Sequence, residues 1–172
     1  MSKSLSRAAL ATALGVTLLP LLSGAATYSN GSRNTTFDVT LKIIADCTIA
    51  ANQLDFGQTQ GVLATAVNVN TTLNIVCTNT TPYNVGLSAG SGTGSTVGAR
   101  VLSGTAGNTS TVNYALTQTA GGANWGNTQG TDTVSGTGSG STQNLTVHGT
   151  IPAQATPQPD TYRSTITATV YF

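Results

Sequence analysis

Short stretches of alternating apolar and polar residues recur along this chain, and the clearest of them is residues 35–44. Side chains of a strand point to opposite faces with a period of two, so this stretch predicts a strand with one apolar face. That face consists of Phe37, Val39, Leu41 and Ile43. Residues 26–34, which precede it, are polar, so we expect the strand to lie at the end of a loose arm. It could pair within its own domain or with another copy of the chain.

The same alternation predicts further short strands, separated by residues that favour turns. They are expected at residues 47–57, 71–78, 83–87, 99–102, 112–116, 143–149 and 161–172. The last of these strands has one face formed by Ile166, Ala168, Val170 and Phe172. We expect this face to lack a covering strand, because the sequence ends there.

The stretches between the predicted strands are expected to be connections. Residues 58–70 and 119–141 lack a sustained alternation, and three prolines exclude residues 151–160 from a central strand. No helical periodicity occurs after the apolar run near the N-terminus. About seven short strands with turn signals between them predict an all-β sandwich.

The first residues have the features of a secretory signal sequence. Lys3 and Arg7 precede an apolar run at residues 8–22, which small residues follow. This run is too short and wrongly flanked for a stable membrane span. We therefore expect residues 1–25 to be a signal peptide, cleaved after Ala25 or Ala26. The remainder, about 147 residues, fits an N-terminal extension at 26–46 and one domain at 47–172.

The charge and the polar composition of the exported chain indicate which classes of partner to expect. Charged residues make up 6% of the sequence. Without the signal peptide, four basic residues stand against five aspartates. With no basic patch to follow a phosphate backbone, nucleic acid is not expected as a partner. A surface rich in hydroxyl and amide side chains suits a secreted structural protein that meets other copies of itself.

The two cysteines, Cys47 and Cys77, are an even number in an exported chain, which indicates one disulfide. A metal site built on them is disfavoured, because the chain has a single histidine and no CxxC spacing.

No residues are arranged for catalysis, cofactor binding or metal binding, so an enzyme is not expected. The one histidine, His148, lies in a predicted strand and is expected to be structural or on the surface. Asp55, Asp132 and Asp160 have turn-like surroundings, which favours turn formation over paired-carboxylate catalysis. The glycine-rich runs do not match a phosphate-binding loop. Trp125 is expected to anchor the core or a loop, with a sugar-stacking platform as the alternative.

Several short motifs follow one another in a specific order. They are Cys47-Thr48-Ile49, Leu54-Asp55-Phe56-Gly57, Ile75-Val76-Cys77, Tyr114-Ala115-Leu116, Trp125-Gly126, Gly136-Thr137-Gly138, residues 147–154 and residues 159–162. In this order the motifs resemble the spore coat protein U domain family. That family includes the subunits of archaic, Csu-type chaperone–usher pili, and the chain closely resembles a major pilin of this type.

The resemblance implies an incomplete immunoglobulin-like β-sandwich that lacks its final strand. A periplasmic chaperone would fill the open groove first. At the outer-membrane usher, the N-terminal strand of the next copy would replace the chaperone. The donor segment would be residues 36–44, and the strand with Ile166, Ala168, Val170 and Phe172 would line the acceptor groove. Other copies, minor pilins and tip pilins are the further partners it implies, in a surface fibre for attachment and biofilm formation.

Two alternatives stay open. In the first, the arm folds back into its own groove and the protein is a self-complemented secreted coat protein. The short linker Ala45–Asp46 disfavours this arrangement, because little chain separates the arm from Cys47. The second alternative is a small carbohydrate-binding β-sandwich that uses Trp125. Since only one domain is expected, a shaft subunit is preferred over a two-domain tip adhesin.

Overall fold

The computed structural model describes residues 30–58 and 63–172. The chain divides into two units, Met1–Thr40 and Leu41–Phe172. In the first unit, the described residues 30–40 form no helix or strand and their side chains are exposed. The predicted signal peptide lies outside the described residues.

The second unit consists of short strands that follow the period-two pattern of the sequence. They are β1 (Cys47–Ala51), β2 (Val67–Cys77), β3 (Pro82–Leu87), β4 (Arg100–Ser103), β5 (Thr111–Thr117), β6 (Val134–Thr137), β7 (Gln143–Ile151) and β8 (Ala168–Tyr171). Over the described ranges the chain contains no helix, so none there could cross a bilayer. The predicted all-β class is confirmed.

Two antiparallel sheets enclose one core. The larger sheet has the strand order β1-β2-β7-β5-β4, and the smaller has the order β6-β3-β8. Alternate residues of the strands face inward, as the pattern predicts. The inward residues of β2 and β3 are Leu73, Ile75, Cys77, Tyr83, Val85 and Leu87, and all are buried. β1 and β8 each form an edge of their sheet.

The predicted disulfide is confirmed. Cys47 and Cys77 are bonded, and they are also directly opposite each other in the pairing of β1 with β2. The bond therefore fixes the edge strand β1 to its neighbour β2 in the larger sheet.

Strand β6 was not predicted, because it lies in a stretch that is mostly glycine, serine and threonine. It pairs with β3 through backbone hydrogen bonds, and Gly136 lies against the ring of Tyr83. A Cβ at that glycine would overlap the ring, so this position requires close packing without a side chain. β6 therefore lacks the apolar alternation by which the other strands were predicted. β2 also begins earlier than predicted, at Val67, since it pairs with β7 as far as Ile151.

Candidate interaction site

A groove of about 1410 Å³ opens into the core of the second unit. Its floor is made of inward residues of the larger sheet: Leu73, Val112, Tyr114, Leu116, Val147 and Ile151. One wall is formed by residues 51–58, which follow β1, and the other by residues 156–168. The groove therefore reaches down to the apolar core side chains along the gap between the edges of the two sheets.

The wall that leads into β8 has one free backbone edge. Arg163 exchanges two backbone hydrogen bonds with Ser103, and the carbonyl oxygens of Thr165 and Thr167 accept hydrogen bonds from N–H groups in residues 88–91. Successive residues of an extended chain direct their N–H and C=O groups to opposite sides. Residues 162, 164 and 166 therefore direct their N–H and C=O groups toward the groove. Within the described chain, those at 162, 164 and 166 have no backbone hydrogen bond, which is the condition of an unpaired sheet edge.

Of the four residues predicted to line the acceptor groove, only two line it. Ile166 and Ala168 line the groove. Val170 is half-buried and packs against the core, whereas Phe172 is 57% exposed. The groove continues instead along Tyr162 and Ser164, which share the same face. Extending the period-two pattern backward from Ile166 is the sequence signal that indicates them.

The donor segment is exposed in both units. In the first unit Phe37 is 82% exposed and Val39 is 85% exposed. In the second, Leu41 and Ile43 are 86% and 76% exposed. Residues 36–44 have no strand partner among the residues that the structure describes. The segment therefore presents an alternating row of apolar side chains to solvent.

Two buried hydroxyl oxygens lie in the groove, on Tyr114 and Ser164. The phenol of Tyr114 is buried beside the Ser164 hydroxyl, and within the described ranges neither group makes a hydrogen bond of good geometry. Burial raises the pKa of Tyr114, and this outweighs the opposing effects of the Ser164 hydroxyl and the Arg100 charge. Gly90 leaves the necessary space, since a Cβ there would lie 3.0 Å from the phenol oxygen.

A fully buried arginine joins the two sheets beside the groove. Arg100 is on β4, and its guanidinium donates hydrogen bonds to the carbonyl oxygens of Leu87, Ser88, Val97 and Trp125. Burial lowers its pKa, although the nearby Tyr114 and Asp132 act in the opposite direction. No sequence pattern indicates this role, because one arginine in a short strand is normally on the surface.

Trp125 is a core anchor. Its ring is 0% exposed, and its Nε1–H donates a 2.7 Å hydrogen bond to the carbonyl oxygen of Val85. A sugar needs an exposed ring face to stack on, so the interpretation of Trp125 as a carbohydrate platform is wrong.

The remaining polar candidates have structural positions. His148 is half-buried in β7, opposite Asn70 of β2 and Thr117 of β5. Asp55 accepts a hydrogen bond from the N–H of Gly57, as expected for a turn. Among the described residues there is no group of three or more His, Cys, Asp or Glu that could hold a metal ion.

Asp132 and Asp160 also organise loops. The Asp132 carboxylate accepts a 2.6 Å hydrogen bond from the N–H of Thr128. The Asp160 carboxylate accepts hydrogen bonds from Thr105, Asn108 and Thr161. The bonds from Thr105 and Asn108 hold the pKa of Asp160 well below its usual range. The predicted turn role of these aspartates agrees with these contacts.

Comparison with known proteins places these features in context. The family model for the Spore Coat Protein U domain matches residues 33–169. No curated protein matches the chain. Among solved structures, the chain is similar to the CsuC–CsuE chaperone–tip adhesion subunit pre-assembly complex from archaic chaperone–usher Csu pili of Acinetobacter baumannii. That similarity has a TM-score of 0.56 and 24% sequence identity, and it covers 76% of this chain and 40% of that chain.

A second solved structure is the E. coli Hda pilus minor tip subunit, HdaB. It has a TM-score of 0.38 and 17% identity, and the similarity covers 72% of this chain and 78% of that chain. The Csu complex supports the fold alone, which is that of a chaperone–usher pilus subunit.

Proposed function

Because the chain belongs to the spore coat protein U domain family, we propose that it is a structural pilin that polymerises by donor-strand exchange. Residues 36–44 of one copy enter the groove of the next copy and add a strand to its free edge, which is a case of β-augmentation. The chain is exported through the periplasm, where a chaperone holds the groove. An outer-membrane usher then assembles the pilus, which also contains minor and tip pilins. The fibre serves attachment and biofilm formation.

One observation carries this proposal: the same chain has an exposed apolar strand sequence and a groove with an apolar floor and an unpaired backbone edge. Exposed apolar patches and free sheet edges usually mark sites of association. The donor segment could complete the groove in two ways. Its apolar side chains, spaced by two residues, would cover the apolar floor, and its backbone would pair with the free edge.

Burial of the four donor side chains favours insertion of the segment into the groove. Each of the four apolar side chains is more than three-quarters exposed. Full burial of such side chains contributes roughly 6–12 kcal/mol in total before the cost of ordering the segment. Release requires the strand to separate from the core along its whole length, so we expect the fibre to persist for kinetic reasons.

Leu41→Asp tests the donor role. The change places a carboxylate on the apolar face of the donor segment, and burying that charge in the groove without a partner is strongly unfavourable. We expect the variant to be exported and to bind its chaperone through the intact groove, but to form no pili. Thr40→Asp is the matched control, because it adds the same charge to the polar face of the same segment.

Pili are counted by electron microscopy, and polymer is detected by denaturing electrophoresis of unboiled material sheared from cells. The proposal predicts a ladder of bands from Thr40→Asp and none from Leu41→Asp. Polymer of normal length from Leu41→Asp would refute the donor role of residues 36–44. Loss of chaperone binding in Leu41→Asp would instead indicate a folding defect, and Leu41→Ala would then replace it.

A further inference from the structure

The wall that leads into β8 passes from one sheet to the other. At one end β8 pairs with β3 in the smaller sheet, and at the other end Arg163 pairs with Ser103, the last residue of β4 in the larger sheet. Residues 164–167, between these pairings, belong to no strand. Strands that change sheets do so at a bulge or a bend, where the regular ladder is interrupted. This stretch therefore needs other contacts to stay extended.

Two serines outside the groove provide those contacts. The N–H of Ser88 donates a 2.9 Å hydrogen bond to the carbonyl oxygen of Thr167, and the Ser88 hydroxyl oxygen accepts a 2.9 Å bond from the Thr167 N–H. Ser91 makes the same pair of bonds with Thr165, at 3.1 Å and 2.8 Å. Each serine thus supplies the donor and the acceptor that a directly opposite strand residue would supply. We call Ser88 and Ser91 the serine brace.

The segment that contains the brace is itself fixed to the fold. The guanidinium of Arg100 donates hydrogen bonds of 3.1 Å and 2.8 Å to the carbonyl oxygen of Ser88. The hydroxyl of Ser95 donates a 2.6 Å bond to the carbonyl oxygen of Ala89. Since Arg100 is fully buried, residues 88–91 have a firm support behind them, and their position determines where the wall lies.

Gly90 brings the serine brace close to the wall. Its φ of +94° lies in the region that favours glycine. A Cβ there would lie 2.5 Å from the hydroxyl oxygen of Ser164 and 2.9 Å from a methyl group of Ile166. The wall therefore packs directly on the backbone between the two serines, with no side chain between them.

We propose that the serine brace positions the free edge of the wall for strand addition. The backbone groups of Thr165 and Thr167 are paired on the side away from the groove, which orients those of residues 164 and 166 toward it. An edge that is already extended loses little conformational freedom when a strand pairs with it, so its ordering costs less. Neither serine lines the groove, so both are positioning residues that act through the wall. This inference rests on the proposed function and deepens it.

Amide hydrogen exchange of assembled fibres, measured residue by residue, tests the serine brace. Ser88→Ala with Ser91→Ala removes the two hydroxyl acceptors and keeps the backbone donors. In the unchanged protein we expect slow exchange at residues 164 and 166, which pair with the added strand, and at residues 165 and 167, which pair with the brace. In the double variant all four amides should exchange faster, those at 164 and 166 by about tenfold, because two hydrogen bonds that hold the wall are lost.

The amides on the groove side distinguish positioning from a local structural role. A purely local role would change exchange at residues 165 and 167 alone, so unchanged exchange at 164 and 166 would overturn the proposal. Ser88→Thr with Ser91→Thr keeps both hydroxyls and should keep exchange slow. Exchange as fast as in the alanine variant would overturn the role of the hydroxyls. If the double alanine variant forms no fibre, Ser91→Ala replaces it, because that side chain is exposed.

Thr133→Ala is the matched control. Its hydroxyl oxygen accepts a 3.0 Å hydrogen bond from the N–H of Gly130, just before β6, and β6 lies at the edge of the smaller sheet opposite to β8. We expect no change at residues 164 and 166 in this variant. An increase equal to that of the serine variant would indicate general loosening of the domain and would overturn the positioning role.

The unboiled ladder gives a second readout that does not depend on exchange. At a fixed temperature below boiling, the ladder of the double alanine variant should collapse about tenfold sooner than that of Thr133→Ala. Equal half-times would overturn the serine brace. Fast exchange at residues 164 and 166 in fibres of the unchanged protein would instead overturn the proposed function, because no strand would then be paired with the free edge.

Discussion

Replacement of Arg100 by methionine should destabilise the fold strongly. Arg100 is 0% exposed, and it provides hydrogen bonds to four backbone carbonyl oxygens around the end of β3 and the loop that contains Trp125. Methionine fills similar space but donates no hydrogen bond. Carbonyl groups left buried without a partner cost about 1 kcal/mol or more each, and relief from burying the charge offsets part of that cost. We expect a loss of about 3–5 kcal/mol in the free energy of unfolding, which is the cost of four unpaired carbonyl groups less that relief.

The loss can be measured by urea unfolding of the purified protein, followed by the fluorescence of Trp125. This is the one tryptophan of the chain, and its carbonyl oxygen is a partner of Arg100. With a urea m-value of about 2 kcal/mol/M, the midpoint should fall by roughly 2 M. Arg163→Met is the matched control, because that side chain is exposed, and we expect a change within about 0.5 kcal/mol. Equal midpoints for the two variants would refute the structural role of Arg100.

Three further predictions concern the stability of the domain. Removal of the disulfide by replacing Cys47 and Cys77 with alanine frees a loop of 30 residues, so the unfolding free energy should fall by about 3–4 kcal/mol, and an unchanged urea midpoint would contradict this. The pKa of Asp160 is lowered in the folded state, so its contribution is present above about pH 4 and declines as the pH falls below that value. The midpoints of Asp160→Asn and the unchanged protein should therefore differ at pH 7 and converge toward pH 2. Gly138→Ala should lower the melting temperature by several degrees, because its Cβ would overlap the backbone carbonyl oxygen of Thr78, which cannot move aside as a side chain can.

Much of the fold follows from period-two alternation. The inward rows of β2, β3, β5 and β7 were recognised because each places apolar residues at every second position, and burial of those rows is what holds the sheets together. β6 was not predicted, because its stability comes from backbone pairing and from a glycine that fits against Tyr83. Such pairing leaves no apolar pattern in the sequence.

The sequence indicated a groove beside the last predicted strand, residues 161–172, but not where along that strand the groove opens. That depends on how closely β1 approaches β8, which is a tertiary contact between strands far apart in sequence. The buried position of Arg100 was equally hidden, since only the assembled loops bring four carbonyl groups around its guanidinium.

Donation of the arm between copies is the central claim, and electrophoresis of the unaltered protein tests it most directly. Material sheared from cells is run in denaturing gels with and without boiling and probed for this chain. The account predicts bands at multiples of the monomer that collapse to a single band on boiling, because an inserted strand separates slowly from its groove. A single monomer band in both lanes would contradict donation between copies and would favour an arm folded into its own groove.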